Sequence, residues 1–125
     1  MLPEQEAAVA DVRATFPESP VTALELPDGR VFVTLADVAV GEGWNVDRSD
    51  LSAFVEVTYP TTPPYPFYAA ADLQRADGQA VAGLTPLVAV EGANRSQLSL
   101  RHDYAPSEGL GARFAAVIRW LRTRP

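Results

Sequence analysis

Two periodicities divide this chain. Leu2, Gln5, Val9, Val12 and Phe16 recur at three- and four-residue spacing, which puts one stripe of a helix over about Pro3 to Thr15 against a core. Pro3 suits a first helical turn, Glu4 and Glu6 favour the positive end of the helix dipole, and Pro17 and Pro20 stop the helix. Alternation then takes over. Thr22 to Leu26, with Leu24 and Leu26 on one face, and Arg30 to about Val40, with Val31, Val33 and Leu35 opposed to Phe32, Thr34 and Ala36, flank Pro27-Asp28-Gly29 and predict a hairpin. From Leu51 to Tyr59 the odd positions Leu51, Ala53, Val55, Val57 and Tyr59 share one face, and Ser52, Phe54, Glu56 and Thr58 the other. Phe67 to Leu73 predicts a fourth strand, closed by a turn at Ala76-Asp77-Gly78-Gln79.

Later signals are weaker. A short strand at Leu87 to Val90, a polar loop at Glu91 to Ser96 and a short ordered piece at Gln97 to His102 are expected. Ser107 is a good N-cap for a last helix striped by Leu110, Phe114, Val117, Ile118 and Leu121. The expected fold is therefore α+β: an N-terminal helix, a four-stranded antiparallel meander, an irregular segment and a C-terminal helix, with the helices on one sheet face. No internal repeat or domain boundary interrupts residues 1–125.

Composition narrows the chemistry. All ten basic side chains are arginine against sixteen acids, giving a net charge of −6. That balance disfavours nucleic acid as a partner. The absence of cysteine removes thiolate, disulfide and Cys-ligated zinc chemistry, and the absence of lysine removes Schiff-base and isopeptide-acceptor amines. No apolar run is long enough for a membrane span, and the acidic start Met-Leu-Pro-Glu-Gln-Glu does not resemble an export signal, so a cytoplasmic setting is expected.

Four of the eleven prolines lie in the seven residues Pro60 to Pro66, within Tyr59-Pro60-Thr61-Thr62-Pro63-Pro64-Tyr65-Pro66-Phe67. Each removes a backbone donor and fixes φ, so this segment is expected to be a stiff link between two strands. A helix, a meander and a Tyr-Pro-x-x-Pro-Pro corner after the third strand resemble the ubiquitin-conjugating-enzyme (UBC) fold. Gly43-Trp44-Asn45, Asp50-Leu51, Phe67-Tyr68, Ala76-Asp77-Gly78-Gln79 and Ser99-Leu100-Arg101-His102 make the chain similar to the bacterial family E branch of that superfamily, over about Thr22 to Leu121. The family carries its modifier as a thioester on a cysteine between the proline corner and the last helix. This chain has no cysteine, and the His-Pro-Asn run of eukaryotic relatives is also missing. The resemblance thus implies a single UBC-like domain without transthiolation chemistry, whose neighbours are a ubiquitin-like modifier and an activating-enzyme-like protein.

Among individual residues, His102 beside Asp103 reads either as a general base or metal ligand oriented by a carboxylate or, preferably, as a structural histidine, since no nucleophile or ligand set accompanies it. Tyr59, Pro63, Pro64 and Tyr65 are contact candidates, because proline-stiffened aromatic segments offer rigid contact area. Their alternative is plain packing of the sheet edge. Trp44, in a Gly-rich loop, is either an exposed contact residue or a plug at one end of the sheet, with burial expected in a domain this small. Arg113, Arg119, Arg122 and Arg124 form either a basic strip or a solvated helix face. Neither a cofactor nor a metal is implied. A non-catalytic binding protein of a bacterial ubiquitin-like pathway is the expected function. The alternatives are a small hydrolase or metal-binding protein using His102 and Asp103, and a structural assembly subunit.

Overall fold

The computed structural model describes residues 1–100 and 108–124. Helix α1 spans Pro3–Thr15, strands β1 to β6 span Val21–Glu25, Val31–Ala39, Arg48–Val55, Phe67–Ala70, Leu84–Val90 and Ala93–Leu98, and helix α2 spans Leu110–Thr123. The strands form one antiparallel sheet in the order β1-β2-β3-β4-β6-β5. The α+β class and the helices behind the sheet are as expected. The strand count is six, not four.

Both extra strands lie in the expected irregular segment: the short strand expected at Leu87 to Val90 is part of the longer β5, and most of the expected polar loop at Glu91 to Ser96 enters β6. Glu91 and Gly92 both take positive φ, 48° and 76°, and Val90 pairs with Ala93 across them. This is the two-residue hairpin turn whose twist matches that of its strands. It folds β6 back between β4 and β5. Polar Asn94, Arg95 and Ser96 are tolerated because each is paired in the ladder: Arg95 to both β4 and β5, Asn94 to β5 and Ser96 to β4. Ser96 is small enough to be buried opposite Ala69, where its hydroxyl donates to Ala71 O at 3.4 Å.

Other expectations shift as well, and the fourth strand ends at Ala70 rather than Leu73. The third strand starts earlier, at Arg48, and ends at Val55 rather than Tyr59. Turn hydrogen bonds from Tyr59 N to Glu56 O and from Thr61 N to Thr58 O take Val57 and Tyr59 out of the ladder. In β1, register sets the parity. Ala23 opposes Val33 and packs on the core, which leaves Leu24 56% exposed.

The core lies between sheet and helices, around Val33, Leu35, Leu51, Val55, Phe67, Leu98, Phe114 and Leu121. Phe67 meets Phe114 edge-on at 5.0 Å. Buried Gln5 is fully used: its Oε1 accepts from Leu2 N, and its Nε2 donates to Gly29 O and Val55 O, bolting α1 to the sheet's lower end. The two helices touch closely enough that a Cβ at Gly111 would collide with Thr15 Oγ1. Gly111 N donates to Asp11 Oδ2 at 2.7 Å, so α1 supplies the carboxylate that caps α2. The N-cap position itself is Gly109, and Ser107 lies outside the described residues. No described helix is long and apolar enough to cross a membrane.

Candidate binding surface

The proline corner joins β3 to β4, neighbouring strands paired through Ser52 and Tyr68. Peptide bonds Tyr59-Pro60 and Tyr65-Pro66 are cis. Thr58 Oγ1 donates to Thr62 Oγ1 at 2.6 Å and tightens the bend. The corner separates the candidate residues onto two sides of the sheet. Tyr59 is half-buried on the helix side, in a shallow hollow with Pro60, Ala7, Asp11 and Leu110. Burial raises its phenol above the ordinary tyrosine value, against an opposing pull from Arg113. Pro64 is buried and serves packing.

Pro63 and Tyr65 are turned to the other side. With Arg30, Phe54, Glu56, Thr62 and Tyr68 they line a hollow of about 170 Å³ on the sheet face that no helix covers. Tyr65 is 48% exposed at its rim. Alternation in β2, β3 and β4 sends Phe32, Phe54 and Tyr68 to this face. Phe32 and Phe54 face each other across the ladder with centroids 4.7 Å apart, and Tyr68 meets Phe54 edge-on at 5.9 Å. Two guanidinium groups cover the rings: Arg30 lies 4.3 Å above Phe54 and Arg95 4.9 Å above Phe32. Arg30 is steered by Asp28, which accepts from its Nε at 2.8 Å and from its backbone N at 3.1 Å. Those two bonds hold the Asp28 carboxyl below its usual range.

One polar atom here is incompletely satisfied. Glu56 Oε2 is buried, accepts no hydrogen bond among the described residues, and lies 4.0 Å from Arg30 Nε. A buried carboxylate oxygen in that state favours an incoming donor. Tyr68 is raised above the ordinary tyrosine value by burial, with Arg30 opposing the shift.

The other candidates fall elsewhere. Trp44 is buried rather than displayed as a contact residue. Its Nε1 donates to Leu121 O at 2.8 Å, and its ring lies 6.4 Å from that of Trp120, so it plugs one end of the sheet and satisfies a carbonyl near the end of α2. The loop around it is zipped to residues 72–76, with Asn45 Nδ2 donating to Asp72 O and Asn45 Oδ1 accepting from Gln74 N. Arg113 is only 2% exposed and leaves the proposed solvated arginine face. His102 and Asp103 lie outside the described residues. Among the described residues no three His, Asp or Glu side chains gather as a metal site.

The aromatic–arginine cluster was not singled out from sequence, although the β2 and β3 alternation already assigns Phe32 and Phe54 to one parity. Their mutual register, and that of Tyr68, is what assembles them. No family model, curated protein or solved structure matches this chain.

Proposed function

We propose that this chain is a UBC-like binding protein of a bacterial ubiquitin-like modification pathway. It would hold the modifier non-covalently on the open sheet face, and its setting would be the cytoplasm. The scaffold assignment is supported by the element order, a helix followed by β1 to β4 in sequence order, a proline corner between β3 and β4, and a C-terminal helix behind the sheet. The β5–β6 hairpin is this chain's departure from the expected meander. Without cysteine these 125 residues cannot carry a cysteine-linked thioester, which leaves binding as the role we assign to them.

The observation that carries the reading is the hollow under Pro63 and Tyr65. It has an aromatic floor, an arginine lid and a buried carboxylate oxygen with spare acceptor capacity. Tyr and Arg at the margin of a preformed hollow are the composition of interface hot spots. The test is an NMR titration of the labelled chain with a purified bacterial ubiquitin-like protein. Amide shifts are expected at Arg30, Phe54, Tyr65 and Tyr68, and Arg30→Glu or Tyr65→Ala should weaken binding by roughly tenfold or more with the fold intact. Absence of shifts at that face at high micromolar modifier, across several salt concentrations, would sink the proposal.

A further inference from the structure

A second concave surface lies on the far side of the molecule, between the latter half of α2 and the end of the β2–β3 pair. This groove of about 390 Å³ has Phe16, Val38, Ala115 and Ile118 on its floor and Arg48, Arg119 and Arg122 on its walls. Arg119 and Arg122 are one helical turn apart, so both rise on the same side of α2. Arg48 comes from a different element, the first residue of β3.

Two of these side chains are held in place. Arg122 donates through Nε and Nη2 to Ala39 O at 3.3 and 3.2 Å, and its stem lies over Gly41, where a Cβ would come within 3.1 Å of Arg122 Cγ. Arg48 Nη1 donates to Asp37 O at 2.7 Å and lies 3.6 Å from the Asp37 carboxylate. Asp37 is in turn fixed by a bulge in β2, with φ 58° and its N–H donating to Asp50 Oδ1. Arg119 is exposed and makes no ion pair among the described residues.

The groove therefore carries three guanidinium groups and one lining carboxylate in a chain whose net charge is −6. The negative end of the α2 dipole accounts for arginines at the helix terminus. It does not account for Arg48, contributed by the sheet to the same groove. An apolar floor between cations, two of them held in place, matches a ligand with an apolar side chain flanked by carboxylates.

We propose that this groove docks an acidic peptide segment of a partner protein, with one apolar side chain on Phe16, Val38 and Ile118 and its flanking Asp or Glu side chains on Arg48 and Arg119. Arginine's planar fork suits bidentate carboxylate contacts. Free phosphate would satisfy the guanidinium groups but leave the apolar floor uncovered. The surface is separate from the open sheet face, so the chain would join two partners, and either interaction can fail without the other.

The test uses the full chain, labelled for NMR, with a ten-residue probe peptide in which Leu and Phe alternate with Glu and Asp. The control has Lys at every acidic position, and inorganic phosphate is titrated separately. The acidic peptide should shift the amides of Val38, Ala115, Ile118 and Arg119, and its affinity should fall as added salt shortens the screening length. The exposed-site variant Arg48→Glu/Arg119→Glu, its fold checked by circular dichroism, should lose roughly tenfold or more in affinity. Tyr65→Ala should leave peptide binding unchanged. The proposal is overturned if the Lys peptide binds equally well, if the double variant binds like the parent, if the shifts map to the open sheet face, or if phosphate alone reproduces both shifts and affinity.

Discussion

Behind the sheet, Val33, Leu35, Leu51, Val55, Phe67 and Leu98 are sealed by two helices; in front, Phe32 and Phe54 are roofed by arginine side chains, with Tyr68 edge-on to Phe54. Both faces come from the same strand alternation, yet they are held differently. The rear is closed by burial of large apolar groups, each worth about 1.5–3 kcal/mol relative to exposure. The front is closed by cation–π contacts worth about 0.5–1 kcal/mol each where solvent reaches them. A partner can displace such a roof and keep the rings' stacking energy in the complex. It could not displace α2 without unfolding the domain. The face that contributes less to stability is therefore the one to which the proposed binding is assigned.

The strongest challenge to this contrast is Phe114→Ala. The ring is fully buried and packed edge-on against Phe67, so its loss should cost about 3–5 kcal/mol in denaturant unfolding. A cost near zero would mean that the rear face is not the stabilising one. A smaller effect is expected from Asp11→Ala, which removes the cap that α1 gives α2. About 1 kcal/mol should be lost, and amide exchange should quicken in the first turn of α2 rather than in the sheet.

The smallest expected effect is alkaline. Burial raises Tyr59, on the helix side, and Tyr68, on the open face, above the ordinary value of 10.0. The unfolded chain then ionises first as pH rises, so it binds fewer protons than the native state. Stability is fully present below pH 10.0 and declines as pH climbs from there through the raised native values. Tyrosinate absorbance should show both rings titrating late, and Tyr68→Phe should soften the decline. Titration of both at the ordinary value would remove the burial argument for the open face.

Much of this architecture was legible in the chain. The α1 bounds, the β1–β2 hairpin, the proline link and the α2 stripe follow from period, turn chemistry and fixed φ, all of which are local. Contact residues were harder to place. Pro63 and Tyr65 line the open-face hollow, whereas Tyr59 and Pro64 in the same short segment do not, because the bend turns neighbouring residues to opposite sides of the sheet. The small size of the domain already favours burial of Trp44, but its acceptor, a carbonyl near the end of α2 and 77 residues away, is set only by the tertiary structure.

By itself, the sequence determined that this is an α+β chain without cysteine or lysine, stiffened between its third and fourth strands. Tertiary structure decided the rest: that a polar run becomes an inner strand, that Phe32, Phe54 and Tyr68 meet, and that Arg48 faces the same groove as Arg119 and Arg122. The physical reason is range. Periodicity and φ preferences act over a few residues and are written in the order of the chain. Register and side-chain convergence depend on segments tens of residues apart, and only the packed domain brings those together.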